Sequence, residues 1–506
     1  MIPLYNSGAN PDGSYSLSGN WLPGAFPMID GKGLHLPFQY TSPATVDNGQ
    51  ENWTHEVRLQ SNDPAAQFVW TTGLFFSLNK QSYLEQIHDP MLNQLSLAVT
   101  GQPYAAFFAC FPSATGPAVA GCTNPAGTPV TYDPRFPNDS YFLENHAEDK
   151  QLAWFGEGTY AFTDQLKATV GARVSRNEFS FNTLTGGPQL FLPPQTKNGD
   201  KKENSFTPKL SLQYQYDPHD MYYFTYSKGF RPGGANNPVP AAACGTDFQN
   251  FGIKAAPDTY NSDTVDSFEV GAKNNIDNRI HLASSVYYIR WNNIQQTVVP
   301  PICQISFVSN LGQAIAKGID FQADIAVTEA LGLEVAAGYT DARYTRNSRL
   351  SSTEAYPIAA SGDAISGQSG SGLSGQPAAP FTLTLGFEYK FDAWSHESFV
   401  RVDDEYSARS KWNSPSQDPT TQQYDPANYV LSSTQFASIR AGTGFGNLQV
   451  AAFIDNLTDT HTITNYEWSI DPGSNPNTGA ALASRLQRNY TYRPRTFGLT
   501  FTYRTN

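Results

Sequence analysis

The chain has 506 residues, of which 15% are charged and 13% aromatic, and its formal net charge is −13. It contains no run of about twenty apolar residues, which excludes helical membrane spans, and its acidic balance argues against a nucleic-acid partner, since phosphate binding needs a basic surface. The first residues lack the basic and apolar regions of a secretory signal, so we expect the leader of an exported protein to be absent from this sequence.

Alternating apolar and polar side chains predict a series of β-strands, because successive strand residues point to opposite faces. The clearest case is the hairpin from Asn204 to Gly234, whose long arms are joined by the short turn Asp217–His219. Arms of about ten residues, apolar on one face and polar on the other, suit tilted strands that cross a bilayer. An edge hairpin of a soluble sandwich would show the same pattern.

In chain order, residues 1–50 are rich in proline, glycine and asparagine and predict an irregular segment, with one weak alternation at 34–40. A second long irregular region is predicted at 79–148. Fifteen strands are predicted in all, at 52–60, 67–78, 150–162, 165–180, 206–216, 222–231, two around Asn274–Asn278, 319–327, 333–339, 381–391, 396–408, 431–443, 447–456 and 494–503.

The connections between these strands alternate in length, a turn of a few residues being followed by a loop of roughly fifteen to seventy. Outer-membrane barrels sort their connections in this way, with short periplasmic turns and long external loops. A soluble sandwich has no reason to do so, and a β-propeller would show a fixed repeat of about 40–50 residues. The pattern therefore predicts an all-β protein, a transmembrane antiparallel β-barrel of the outer-membrane type.

The predicted strand count raises a problem of closure. If all the short turns lie at the periplasmic end, the strands at 52–60 and 494–503 both run toward that end. These two strands would therefore pair in parallel if they closed the barrel. Bacterial single-chain barrels are antiparallel with even strand numbers. We therefore do not expect this chain to close into a barrel by itself: either 34–40 supplies a sixteenth strand, or further strands are missing.

Six segments, in order along about 450 residues, resemble TonB-dependent outer-membrane receptors. They are Glu56–Leu59 with Trp70–Phe76, Tyr226–Gly233, Phe268–Lys273, Ala316–Asp320, Asn456–Asp459 and Arg493–Leu499. The resemblance implies a barrel of about 22 strands with an N-terminal plug. It also implies an outer-membrane location in a Gram-negative bacterium, in contact with membrane lipid. The implied function is uptake of a scarce nutrient, such as a siderophore–iron complex, with energy from the TonB inner-membrane complex.

The sequence departs from the family pattern in three respects. It shows no plug and no energy-coupling box, and it predicts about fifteen strands where the family has about 22. Its last aromatic residue, Tyr503, is followed by three more residues instead of ending the chain. We therefore expect an N-terminally incomplete barrel at 51–506, preceded at 1–50 by the remnant of an external loop. The alternatives are a passive porin of about sixteen strands and, from another class, a barrel hydrolase.

No pattern in the sequence predicts catalysis, a cofactor or a metal. The sequence contains no GxSxG, HExxH or phosphate-binding glycine loop, and its eight histidines are scattered. Asp258, Asp263 and Asp266 would bind calcium only if their loop brought them together. Solvated loop carboxylates are the plainer interpretation.

Four arginines, Arg173, Arg231, Arg343 and Arg401, are predicted on strand faces or rims that face the barrel lumen. Ligand contacts in the family come from external loops, inward-facing residues and the plug, so the resemblance makes these side chains candidate ligand contacts. The alternative role is pairing with luminal carboxylates.

All four cysteines, Cys110, Cys122, Cys244 and Cys303, fall in connections predicted to be external. Four cysteines allow three connectivities, and the predicted topology favours Cys110 with Cys122 and Cys244 with Cys303. The oxidising surroundings of an exported protein let such bridges persist. The alternative is four unpaired loop thiols.

Overall fold

The computed structural model describes residues 15–17, 34–36, 43–88, 135–136, 139–187, 194–300, 302–303, 305–365, 377–426, 428–468, 471–474, 481–483 and 487–505. No helix in these ranges is long and apolar enough to span a membrane.

The described elements are twenty-five strands and one helix. The strands are β1 (Tyr15–Leu17), β2 (Leu34–Leu36), β3 (Ala44–Gln60), β4 (Phe68–His88), β5 (Asp139–Ala161), β6 (Leu166–Gly186), β7 (Gln195–Gln215), β8 (Met221–Arg231), β9 (Gly234–Ala235), β10 (Thr259–Tyr260), β11 (Asp263–Ile276), β12 (Ile280–Asn292), β13 (Gln295–Val298), β14 (Phe307–Asn310), β15 (Gln313–Ala326), β16 (Leu331–Tyr344), β17 (Phe381–Ala393), β18 (His396–Ser407), β19 (Thr434–Phe445), β20 (Leu448–Asp455), β21 (Ile463–Trp468), β22 (Asp471–Ser474), β23 (Ala481–Ala483), β24 (Gln487–Thr491) and β25 (Thr496–Tyr503). The helix α1 (Ala241–Phe251) lies between β9 and β10.

Fifteen strands form one antiparallel sheet in the order β25-β20-β19-β18-β17-β16-β15-β12-β11-β8-β7-β6-β5-β4-β3. This confirms the predicted fold class and strand number. Strands β3 and β25 are the two edges of the sheet and do not pair with each other. Of the weak alternation at 34–40, the described residues Leu34–Leu36 form β2, which pairs with β1 in a separate two-stranded sheet and does not join the large one.

The sheet has an apolar face and a polar face, set by strand parity. On the apolar face the side chains are exposed although they are large and hydrophobic: examples are Val286, Ile319 and Phe387. Alternate positions form the polar face, which carries Glu157, Lys209, Glu269, Glu334 and Arg401 among others. Outward apolar and inward polar side chains are the arrangement of a membrane barrel.

Strands β4 to β7 are longer than predicted, at 21 to 23 residues. The region predicted as irregular, 79–148, in fact contributes ten residues to β4 and ten to β5 at its two ends, so the prediction was wrong there. The reason is that the apolar face of β5 changes from Trp154 and Leu152 to Lys150 and Glu148. The apolar–polar contrast disappears, while the backbone ladder continues without it.

The long connections between β8 and β19 fold against one another. We call the described residues of 232–262, 293–312, 345–365 and 409–426 the loop cap. Its core packs α1 against the other loops through side chains that are almost fully buried: Cys244, Phe248, Phe251, Val298, Phe307, Leu311 and Ile358. Hydrogen bonds from Ala364 to Asn413 and from Gln422 to Pro357 tie the last two loops together.

Candidate ligand-binding rim

The polar face of the sheet carries charged side chains held in cross-strand pairs. Lys209 Nζ lies 2.8 Å from a Glu157 carboxylate oxygen. Arg401 donates to Glu334 at 2.7 Å and to Asp403 at about 2.8 Å. Glu157 and Lys209 lie two strands apart, as do Glu334 and Arg401, and a glycine of the intervening strand, Gly171 or Gly386, lies opposite each glutamate. Asp403 follows Arg401 by two residues on β18 and so lies on the same face.

Arg231 is the last residue of β8, where the polar face meets the loop cap. Its guanidinium donates to Asp263 at 2.5 Å and to the Gln295 carbonyl at 3.3 Å. It also lies 5.6 Å from the centre of the Trp291 ring, a cation–π distance. The Arg231 side chain remains 47% exposed, whereas the Asp263 side chain is only 2% exposed. The guanidinium is thus held by the protein while about half of the Arg231 side chain remains accessible.

The local sequence explains how this cluster forms. Pro232 follows Arg231 and cannot donate a ladder hydrogen bond, and Asp263 begins the next strand, directly opposite Arg231. Trp291, two strands away from β8, aligns with Val265 of β11. Its indole N–H donates to Asp263 at 3.0 Å.

Gln295, the first residue of β13, completes the cluster. Its backbone N–H donates to Asp263 at 3.1 Å. Its side-chain amide donates to the carbonyls of Pro232, at 2.8 Å, and Arg231, at 3.3 Å. We call Arg231, Asp263, Trp291 and Gln295 the rim cluster.

The other three predicted arginines lie elsewhere. Arg173 is on the polar face, where it donates to Gln151 at 2.8 Å and stacks on Phe75 at 4.8 Å. Arg401 is also on the polar face, in the ion pairs described above, so neither of them joins Arg231 in one site.

Arg343 is not on the polar face. It lies four positions beyond Tyr339, so it has the parity of the exposed apolar side chains. There it pairs with Asp341 at 2.6 Å and stacks on Trp412 at 4.8 Å. The prediction of a luminal position was wrong for this residue, because the change from apolar to charged side chains near the strand end hides the parity.

A disulfide joins Cys244 of α1 to Cys303, with the two Cα atoms 5.1 Å apart. This is one of the two pairs that the sequence topology favours. Cys110 and Cys122 lie outside the described residues. Asp247, one turn after Cys244 on α1, is fully buried and accepts hydrogen bonds from the N–H groups of Ile302 and Cys303. The helix is thus fixed to the neighbouring loop by both a covalent bond and hydrogen bonds.

Two buried carboxyl groups lie in the half of the loop cap formed by its last two segments. Glu354 is 3% exposed and accepts hydrogen bonds from Gln422, at 2.5 Å, and from the Leu350 N–H, at 2.7 Å. Burial raises the pKa of Glu354 to about 7. Burial, aided by a hydrogen bond with Asp418, also raises the pKa of Asp363 to about 7.

Sequence reasoning identified Arg231 but missed Trp291 and Gln295. Strand parity was the usable signal, because Trp291 has the same parity as Tyr287 of the polar face. The signal is easily overlooked, since a tryptophan near a strand end is more simply interpreted as an interfacial aromatic residue. The three aspartates considered for calcium do not converge, since Asp258 pairs with Lys197 and Asp266 lies on the apolar face. Within the described ranges no group of three or more potential metal ligands is found.

A groove of about 670 Å³ lies on the long strands β3 to β6. Its polar lining includes Glu51, Lys80, His146 and Glu148, mostly with the parity of the apolar face. It shares no residue with the rim cluster, and its lining includes the edge strand β3. We therefore place the candidate ligand contacts at the rim cluster and not in this groove.

Comparison with solved structures finds the fold of this sheet in receptors of known structure. The ferric yersiniabactin uptake receptor FyuA from Yersinia pestis superposes with a TM-score of 0.60 and 13% sequence identity, over 91% of this chain and 55% of that one. The siderophore receptor PiuA from Acinetobacter baumannii gives a TM-score of 0.56 and 14% identity, over 90% and 56%. Identities this low support the fold alone.

Sequence comparisons point in the same direction. The metal-pseudopaline receptor CntO of Pseudomonas aeruginosa is 22% identical over 207 residues, which are 41% of this chain and 26% of that receptor. The chain thus covers about a quarter of CntO and about half of the solved receptors. The family model for the TonB-dependent receptor-like β-barrel matches residues 3–457. With nine-tenths of its length matched and a fifteen-stranded sheet of the same fold, the chain belongs to the TonB-dependent receptor family.

Proposed function

We propose that the protein takes up a scarce nutrient across the outer membrane of a Gram-negative bacterium, and that the nutrient is a metal chelate of the siderophore class. The family consists of outer-membrane transport receptors, and the similar proteins named above are receptors for such chelates. In this proposal the polar face lines the lumen, the loop cap is external, and residues 51–506 form the barrel unit. Energy coupling through the TonB complex is proposed for the whole protein.

The half-exposed guanidinium of Arg231 carries the assignment of the binding site. Metal chelates of this class carry anionic oxygens, which an arginine binds through directed, charge-assisted hydrogen bonds. Asp263, Trp291 and Gln295 hold the side chain at the rim, so little conformational freedom is lost when a ligand binds. Arg173 and Arg401 are further luminal candidates. Their partners on the polar face, however, already occupy part of the hydrogen-bonding capacity of these two arginines.

Transport is the proposed activity, and catalysis is not. The family and fold are those of transport receptors. A passive porin of sixteen strands would require residues 34–40 in the large sheet, and β2 pairs with β1 instead. A metal chelate is here the cargo of the barrel and not a resident cofactor.

Uptake of radiolabelled iron by cells tests the proposal, with a panel of ferric siderophores as probes. Wild-type protein is expected to support energy-dependent uptake of at least one chelate. Arg231→Ala is expected to reduce uptake at limiting concentration by about tenfold or more, since a hydrogen bond to a charged group contributes about 1.5–3 kcal/mol. The matched control is Lys273→Ala, near the short-turn end of β11.

Three outcomes would overturn the proposal. One is uptake by wild-type protein that persists after the energy source is removed, together with steady large conductance in planar bilayers, which would identify a porin. Another is hydrolysis of lipid or peptide that a single histidine or serine substitution abolishes. The third is equal uptake by Arg231→Ala and wild type at matched surface abundance, which would remove the rim cluster from the site.

A further inference from the structure

A cluster of basic side chains lies on the apolar face of the sheet, at the end where the long loops begin. The basic cluster consists of Lys228, Arg290, Lys317 and Arg343. Strand parity fixes its face: Lys228 lies two positions beyond Tyr226 on β8, and Arg290 lies two beyond Tyr288 on β12. Both tyrosines belong to the apolar face.

The register brings these side chains together. Lys228 and Arg290 lie on either side of Asp266, which is directly opposite each of them. Lys317 aligns with Tyr288 on one side and Asp341 on the other. Neighbouring strands are about 4.8 Å apart, so the cluster spans roughly 20 Å across five strands.

The cluster carries more positive than negative charge. Asp341 lies 2.6 Å from Arg343 and 3.8 Å from Lys317. Asp266 accepts hydrogen bonds from Tyr226, at 3.1 Å, and from Asn292, at 3.3 Å. Within the described part of the chain, Lys228 and Arg290 form no ion pair. Four cations against two carboxylates stand out in a chain whose formal net charge is −13.

The surface next to the cluster is apolar and aromatic. Phe268 and Tyr288, each 41% exposed, lie one pleat from Lys228 and Arg290, and Val270 and Val286 follow at the next pleat. In membrane proteins, aromatic side chains take the interfacial level, and lysine or arginine beyond them reaches the headgroups. The order apolar, aromatic, basic thus marks the headgroup level on these strands.

We propose that the basic cluster binds phosphate groups of the lipids that surround the barrel in the outer leaflet. The guanidinium of Arg290 suits phosphate because it offers parallel donors, and the lysine ammonium groups serve as flexible point charges. A charged patch on a solvated face would be expected to carry balancing carboxylates, as Glu148 beside Lys150 and Glu178 beside Arg176 do on β5 and β6. The basic cluster has an excess of cations instead.

Binding of diphosphorylated lipid A to the purified protein in neutral detergent micelles tests this proposal. Each basic residue near an anionic lipid surface contributes roughly fivefold to affinity, so the triple variant Lys228→Gln/Arg290→Gln/Lys317→Gln should bind about a hundredfold more weakly. The control variant Lys167→Gln/Lys254→Gln/Lys273→Gln removes the same charge from a short-turn end, a loop and the polar face. It should bind as wild type does.

The proposal is overturned if the triple variant binds as wild type does, or if both variants lose affinity equally, which would indicate net charge alone. It is also overturned if dephosphorylated lipid A binds as well as the phosphorylated form, or if inorganic phosphate at the same concentration displaces the lipid fully, which would indicate a site for free phosphate. Circular dichroism of each variant establishes that the sheet is intact. Nutrient binding is measured separately, so failure of the proposed transport function would leave this test unaffected.

Discussion

Glu354 and Asp363 are carboxyl groups whose protonation is coupled to the packing of the loop cap. Each is almost fully buried and links or adjoins two loops: Glu354 accepts from Gln422, and Asp363 lies beside Asp418. Burial disfavours the charged form of a carboxyl group. Both groups therefore keep their proton to a higher pH than a solvated carboxyl group does.

The raised pKa values predict that the loop cap becomes less stable as the pH rises. Between about pH 4 and 7, the unfolded chain has both groups ionised while the folded cap keeps them protonated, so the folded state binds more protons and loses stability with increasing pH. The expected loss is roughly 2–4 kcal/mol for each group by pH 8. Hydrogen exchange at 345–365 and 409–426, corrected for intrinsic rates, should be faster at pH 8 than at pH 5.

Glu354→Gln with Asp363→Asn provides the matched control, because amides keep the size and much of the hydrogen bonding of the carboxyl groups. In this variant the difference between pH 5 and pH 8 should largely disappear. Protection that increases with pH in the native chain would contradict the prediction, as would an unchanged pH dependence in the variant.

At the level of elements, sequence pattern predicts strands well where one face is apolar. The alternation at 381–391 anticipates β17, which the structure places at Phe381–Ala393. Helix α1 was missed because an eleven-residue segment in a loop rich in proline and glycine gives little periodicity. Its ends carry the usable signals: Pro240 before it, and Gly252 after it with a left-handed φ of 66°.

The rim cluster also shows what sequence pattern alone does not predict. Arg231 stands out in the sequence as a charged residue at the end of an alternating arm. Its partners Asp263 and Trp291 come from β11 and β12, and their approach depends on the register of three strands. A one-residue slip in register would place each partner on the other face, so sequence alone does not assemble the cluster.

Removing the disulfide should loosen helix α1. The bond closes a segment with a sequence separation of 59 residues, and a cross-link of this kind contributes about 2–4 kcal/mol. Cys244→Ser with Cys303→Ser should therefore accelerate hydrogen exchange in α1, while Cys110→Ser with Cys122→Ser should leave α1 unchanged. Equal protection of α1 in both double variants would refute the expectation. Mass spectrometry of the unreduced protein tests the predicted Cys110–Cys122 bond.

At the scale of the whole molecule, the two faces of the sheet require different solvents. Val286 lies on the apolar face and is 56% exposed, while its neighbour Ser285 lies on the polar face. Arginine on the lipid face of a barrel costs about 2–4 kcal/mol near the bilayer midplane, and lumen substitutions cost much less. Val286→Arg should therefore reduce the free energy of folding into lipid bilayers by about that amount.

Ser285→Arg is the matched substitution, one residue away on the other face. It should change the folding free energy much less than Val286→Arg, as measured by urea titration of tryptophan fluorescence in vesicles. Equal costs at the two positions would mean that the faces are not solvated differently, which would contradict the membrane orientation.

The unequal strand lengths give one end of the large sheet a slanted outline. Strands β4 to β7 have 21 to 23 residues, whereas β8 and β11 have 11 and 14. At about 3.3 Å per residue and a tilt of about 40°, the longer strands would in the proposed orientation rise roughly 20 Å higher above the membrane surface. In that orientation, a large particle such as an antibody that approaches from the side of these strands would meet them before it reached Arg231. A small solute passes beside them and reaches Arg231 where the polar face meets the loop cap.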